Sequence, residues 1–346
     1  MSTSMSDPRI YASVTRISDL RETPFKVEEW PRERWGTGDY VVAELLGRPR
    51  TALVELTNGR MVEPAEGDLV VGALGERFAT LEATGTWREV EEDGRMHLLT
   101  SGGLLGRCTS LSTLVPDLPE VRYSGHVVRA GSKTRMADFR VTDVDERLYD
   151  VPTVMIIGTS MSAGKTTTAR TLIRRLRAMG LEVMGAKLTG AGRYRDILAM
   201  ADAGAEPVYD FVDGGLPSTV CPEGEFREAM EPLLATMARS RSDVAVVEIG
   251  ASPLEPYNGA VGVELLGDAV RMTVVCASDP YAVLGLTHAF GRTPDLVTGP
   301  AANTRGGEAL VGKLLDVPCL NAVRRRSGPE LDRLLRVHLD LGVLPG

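Results

Sequence analysis

Gly158-Thr159-Ser160-Met161-Ser162-Ala163-Gly164-Lys165-Thr166 joins two stretches of different character. Before it runs the apolar Val154-Met155-Ile156-Ile157; after it, Thr167-Thr168-Ala169-Arg170-Thr171-Leu172-Ile173-Arg174-Arg175-Leu176 has helical periodicity. Strand, glycine-bounded loop, Lys-Thr and helix in this order read as a phosphate-binding loop. The first N–H groups of a helix lack partners within it, and together with the helix dipole they attract anions. On this reading Gly158, Thr159, Ser162, Ala163, Gly164 and Thr167 cradle a nucleotide's phosphates. Lys165 sets a point charge on the β- and γ-phosphates, and the Thr166 hydroxyl ligates Mg2+. Five residues, rather than the common four, separate Gly158 from Gly164, but the Gly-Lys-Thr end is intact.

Parallel sheets bind ligands at the carboxyl ends of their strands. Lys187 ends the run Glu182–Lys187 and abuts Leu188-Thr189-Gly190-Ala191-Gly192. Alone it would read as a snorkelling surface lysine; beside a phosphate loop it is a catalytic candidate that reaches the transferring phosphoryl group. Glu248 closes Val244-Ala245-Val246-Val247. A carboxylate there is costly unless paired or metal-bound, so Glu248 and Thr166 form a candidate Mg2+ site. Asp196 is a further metal candidate, or equally a helix N-cap. The loop Gly250–Gly259 offers Ser252, Glu255, Tyr257 and Asn258 as substrate contacts, or serves as a stiff connection. Asp210–Thr219 is a second polar loop expected over the site. Asn303, after a late strand, is placed to bond an adenine edge. His288 reads as a packed helical histidine.

The elements that must hold these residues differ between the two parts of the chain. Residues 1–150 read as a smaller β-rich domain, a barrel or sandwich. Short β-rich runs such as Asp39–Leu45, Thr51–Leu56 and Asp68–Gly72 alternate with turns, and Asn58-Gly59 signals a hairpin. Ser101–Gly106 reads as a turn. Residues 151–346 alternate strands and helices, which predicts an α/β fold with a mostly parallel, doubly wound sheet. Strands are expected at Glu182–Lys187, Val244–Glu248, Met272–Cys276 and Leu296–Gly299, and helices near Asp196 and over Phe226–Ala238.

The 346 residues carry a formal net charge of −8, which argues against general nucleic-acid binding. No apolar run is long enough to predict a membrane span, and Met1–Asp7 lacks signal-peptide character; a cytoplasmic protein is expected. Cys108, Cys221, Cys276 and Cys319 are scattered without a CxxC pair, which disfavours zinc or disulfides. Cys276 and Cys319 read as small buried hydrophobes, and Arg324-Arg325-Arg326 as a solvated loop.

The motif order resembles dethiobiotin synthetase and its ATPase relatives. Gly158 through Thr166 is similar to that family's phosphate loop, Gly185-Ala186-Lys187 to its Gly-Tyr-Lys-Pro segment, and Glu248-Ile249-Gly250-Ala251 to its Glu-Gly-Ala-Gly. The resemblance implies that Lys187 works at the reacting phosphate and that Thr166, Asp196 and Glu248 surround Mg2+. Leu188 stands where the family has proline and Ile249 where it has glycine. Over about residues 150–325 the chain also resembles a P-loop family that includes D-glutamate N-acetyltransferase-type proteins. Glu248-Ile249-Gly250-Ala251-Ser252, Glu255–Gly259, Glu264–Gly267, Ala301–Arg305 and Val317-Pro318 follow that family's order.

These residues predict an Mg2+-ATP enzyme that phosphorylates a small molecule, expected to be a carboxylate, through an acyl phosphate, as a kinase or amide-forming ligase. One alternative is an acyl-CoA-dependent N-acyltransferase that grips cofactor phosphates with the loop. Another is a nucleotide-dependent switch or metallochaperone. A homo-oligomer, dimer or higher, is expected; related ATPases dimerise to work, and a second lysine early in their loop signals this. Met161 and Ser162 offer no second loop lysine, which counts against a partner-activated ATPase.

Overall fold

Six strands in the second half of the chain, most of them apolar runs, pair side by side, and the helices between them cover the sheet. The computed structural model describes residues 9–47, 53–142 and 148–341. The Met1–Asp7 segment and the Thr51-Ala52 start of one expected strand lie outside the described residues. The chain divides into two compact units. Unit 1 comprises Met1–Val141, Ala191–Arg195 and Phe211–Val220; unit 2 comprises Thr142–Gly190, Asp196–Asp210 and Cys221–Gly346.

In chain order, unit 2 is built on β1 (Thr153–Gly158), α1 (Lys165–Ala178), β2 (Val183–Thr189), α2 (Tyr194–Ala201), β3 (Val208–Asp210), α3 (Glu223–Ala238), β4 (Val244–Ile249), α4 (Gly259–Leu266), β5 (Val270–Cys276), α5 (Pro280–Phe290), β6 (Leu296–Thr298), α6 (Arg305–Leu315) and α7 (Gly328–His338). The first two residues of α2 group with unit 1. The strands lie in the order β3-β2-β4-β1-β5-β6, and every pairing is parallel. β1 therefore sits inside the sheet with β4 and β5 on either side.

Strand side chains alternate between faces. Val154, Ile156, Val244, Val246, Met272 and Val274 form one core with Leu172, Ile173 and Leu176 of α1 and Leu331, Leu334 and Leu335 of α7. The alternate residues Met155, Ile157, Ala245 and Val247 are buried too. A strand buried on both faces reads as a continuous apolar run, which is why these strands stand out in the sequence.

Unit 1 contains a closed ring of five strands. In ring order they are Leu69–Leu74, Tyr40–Leu45, Glu120–Arg129, Arg95–Leu98 and Leu104–Leu111. Leu104↔Ala73 and Leu105↔Leu74 close the ring by a parallel pairing. Val41, Ala43, Leu45, Val70, Leu74, Met96, Leu98, Leu105 and Val121 fill its apolar core. The barrel form of the sequence expectation is the one adopted. Asn58-Gly59 turns a hairpin whose arms pair Val54↔Val62 and Glu55↔Met61. Ser101-Gly102-Gly103 is a turn, but Leu104-Leu105-Gly106 already belongs to a strand.

Two expectations need correcting. His288 lies on α5 as predicted but is exposed rather than packed, because only Val283 and Leu286 of that helix are buried. Cys319 is half-buried, whereas Cys276 is fully buried. Among the described residues, no helix is long and apolar enough to cross a membrane.

Candidate functional site

The loop between β1 and α1 is wrapped around its own lysine. Lys165 is only 2% exposed, and its Nζ donates to Ser160 O at 2.7 Å across the loop. A methyl group at Gly158 would lie 2.9 Å from both Lys165 Cδ and Nζ, so the lysine can fold over the strand end only because that position is glycine. Gly164 enters the helix at φ +94°, a left-handed conformation that glycine adopts without strain. Thr159 is tied to the next strand: its N–H donates to Cys276 O at 3.1 Å, and its hydroxyl accepts from Ser278 N at 3.1 Å. Ala163 is buried, while Ser162 and Thr167 are exposed.

Thr166 Oγ1 donates to Glu248 Oε2 at 2.9 Å. Glu248, 3% exposed, occupies the next-to-last position of β4. Its sequence-predicted partner Thr166 is thus beside it, and the two supply a hydroxyl and a carboxylate oxygen, the hard donors that Mg2+ takes. Among the described residues there is no group of three or more His, Cys, Asp or Glu able to hold a metal by themselves. A phosphate-loop Mg2+ does not need one, since phosphate oxygens and waters complete its shell.

Lys187 is 5% exposed and lies in register with Glu248 on one side and Asp210 on the other. Three neighbouring strands thus carry acid, base and acid in one row. Lys187 Nζ is ion-paired with Asp196, the third residue of α2. Asp196 therefore has a cation as partner, and its position is inside the helix rather than at its cap. The aliphatic arm of Lys187 passes close to Gly250: a methyl there would lie 3.0 Å from Lys187 Cε and 1.9 Å from Thr189 O.

Burial pushes the Lys165 ammonium down from the ordinary lysine range, Glu248 opposes that, and Lys187 adds to it. Four charged groups, Lys165, Lys187, Glu248 and Glu255, thus feel one another. Lys187 is balanced by its ion pair with Asp196, which leaves the buried Lys165 with the Glu248 carboxylate as its main opposing charge.

The other predicted residues have structural partners. Ser252 N donates to Glu255 Oε2 at 2.7 Å, which folds the loop back on itself. Tyr257 is fully buried. Asn258 stands at φ +58° before α4, and its Nδ2 donates to Cys221 O at 2.9 Å. Asn303 is exposed just beyond β6 and accepts from Asn321 Nδ2 at 2.7 Å. Residues 211–220 of the second polar loop group with unit 1.

Sequence reasoning missed three participants. Asp210 is buried at the end of a three-residue strand. Ser278 steadies Thr159. Gly299 packs on the loop, where an added methyl would come 2.6 Å from Ala163 O. Asp210, at the head of the polar loop Asp210–Thr219, and Gly299, in Thr298-Gly299-Pro300, carried a sequence signal, but no role of their own.

A parallel sheet in this order, with a Gly-Lys-Thr loop between its central strand and the first helix, defines a P-loop α/β fold. No family model matches the sequence, and no curated protein matches it. Similar solved structures include the hydrogenase maturation factor HypB from Archaeoglobus fulgidus, 16% identical with a TM-score of 0.39, covering 55% of this chain and 91% of that one. HypB from Helicobacter pylori in complex with nickel is 14% identical with a TM-score of 0.38, covering 57% and 92%. A DUF1611 family protein from Anabaena variabilis is 14% identical with a TM-score of 0.39, covering 54% and 58%.

Proposed function

We propose that unit 2 binds Mg2+-ATP and transfers the γ-phosphoryl group to a small-molecule carboxylate. The carboxylate oxygen forms the new bond to phosphorus as the bond to the β-phosphate oxygen breaks, and ADP leaves. The acyl phosphate is then the product or is captured by an amine. The loop amides and Lys165 hold the β- and γ-phosphates, and Thr166 with Glu248 holds the metal. When bound, the divalent ion neutralises phosphate charge and orients the triphosphate. Lys187 supplies the second positive charge beside the transferring group, where fixed charges in a dry site act most strongly. Asp196 holds Lys187 in place, and Asn303 reads the base.

The observation that carries this reading is the buried Lys187, in register with the carboxylate that is hydrogen-bonded to Thr166. A phosphate loop alone needs no second buried lysine. The similarity of Gly185-Ala186-Lys187 and Glu248–Ala251 to the dethiobiotin synthetase motifs supports the choice of ATP and a carboxylate. The test is ADP release by the purified chain with Mg2+-ATP across a panel of carboxylates, with hydroxylamine added to trap an acyl phosphate as hydroxamate. Stimulation by one acid, with hydroxamate formed, is expected. Slow turnover that no acid stimulates would contradict the proposal and favour a nucleotide switch.

A further inference from the structure

Unit 1 has a cleft of about 420 Å³ formed by its own residues. Its lining includes the apolar Leu53, Met61, Val115 and Leu118 and three arginines, Arg77, Arg193 and Arg195. Arg77 is committed within the protein, since it donates to Leu99 O at 2.7 Å and is ion-paired with Glu82. No hydrogen bond or ion pair ties the Arg193 guanidinium among the described residues, and its Nε is shielded from solvent. A shielded guanidinium donor without an acceptor is an unmet demand that a bound oxyanion would satisfy.

The two free-standing arginines are fixed through their backbone. Glu55 is fully buried, and its carboxylate accepts Tyr194 N and Arg195 N, each at 2.7 Å, together with the Ser13 hydroxyl. Gly192 N donates to Pro217 O at 3.0 Å, and Thr100 Oγ1 donates to Gly192 O at 3.1 Å. The segment that carries Arg193 and Arg195 is therefore pinned on both sides before any ligand arrives, which lowers the ordering cost of binding. Of the acidic groups in the lining, Glu82 is taken by Arg77 and Asp117 is exposed.

We propose that this cleft binds a small organic carboxylate with an apolar body. The oxyanion lies against Arg193 and Arg195, and the hydrocarbon lies along Leu53, Met61, Val115 and Leu118. Guanidinium forks match carboxylate geometry, and a mostly apolar pocket with a few polar anchors suits such an amphiphile. The site is independent of the phosphate loop and stands whether or not unit 2 transfers phosphate.

The test is calorimetric titration of the full chain with octanoate, with octylammonium as the charge-reversed control. The proteins are the wild type, Arg193→Gln, Arg195→Gln and Lys165→Ala. Wild type and Lys165→Ala should bind octanoate equally and ignore octylammonium. Each arginine variant should bind at least about tenfold more weakly, the loss expected for one charge-assisted contact. If an arginine variant melts early, Leu118→Asp, in the apolar part of the lining, gives the same reading without touching either arginine. Three results would overturn the proposal: no binding by the wild type, binding indifferent to both arginines, or binding lost only in Lys165→Ala. Inorganic phosphate binding in place of octanoate, abolished by the same arginine variants, would overturn the assignment to an amphiphilic carboxylate.

Discussion

Replacing Lys187 by methionine separates the charge of this residue from its bulk. The side chain is 6% exposed and that of its partner Asp196 17%. Loss of the ammonium leaves a largely buried carboxylate without its cation, and breaking a buried pair from one side costs about 3–5 kcal/mol. For a domain of this size each kcal/mol moves Tm by roughly 2–4 °C, so Lys187→Met should melt about 6–20 °C early. The double variant Lys187→Met/Asp196→Leu removes both charges and should regain most of that loss, because apolar replacements of buried pairs are often neutral. Turnover should not recover. A cation aimed at charge that develops during transfer contributes about 100- to 1000-fold in kcat, and the double variant still lacks it. Asp196→Asn, which keeps Lys187, measures any separate share of Asp196 in metal binding. Scanning calorimetry and ADP release on the four proteins read the two effects independently. A double variant that recovered both Tm and kcat would refute the assignment, because Lys187 would then be only a counter-ion to Asp196.

Gly250→Ala should cost about 3 kcal/mol or more in urea unfolding, since its methyl would meet Thr189 O at 1.9 Å and force β2 and β4 apart. Gly312→Ala, in α6 with open space around it, should instead stabilise by up to about 1 kcal/mol, and a loss there would contradict the helix geometry. Cys276 gives a pH signature. Burial pushes its thiol up from an ordinary value of 9.0 to about 12. The unfolded thiol ionises first, so the stability due to Cys276 is complete below about pH 9 and is lost as pH rises toward 12, by about 1.4 kcal/mol per unit. Cys276→Ala should flatten the fall in stability between pH 9 and 10.5, and parallel curves for both proteins would contradict the burial.

The parallel sheet was legible because its central strands are buried on both faces and so read as unbroken apolar runs, as in Val154–Ile157 and Val244–Val247. The phosphate loop was legible because every residue it needs is local in sequence. β3 was not, since Val208–Asp210 is too short to carry a period, and Asp210 became a buried strand-end carboxylate only through its register with Lys187. The Lys187–Asp196 pair was half legible: both residues stood out, but two separate roles suggested themselves rather than one ion pair. Ring closure in unit 1 depends on a parallel pairing of Leu104-Leu105 with Ala73-Leu74 that no local pattern encodes. Glu55 gave no signal because its partners, Tyr194 N and Arg195 N, lie about 140 residues away. His288 was misread because its helix buries only a narrow stripe.

The most direct test of the central claim is calorimetric binding of a non-hydrolysable ATP analogue to the full chain, with and without Mg2+. Wild type should bind, and more tightly with the metal. Lys165→Ala should not bind, and Thr166→Val should bind weakly with no gain from Mg2+, since its hydroxyl is lost beside Glu248. Undiminished, Mg2+-enhanced binding by both variants would contradict the placement of a metal-triphosphate at this loop.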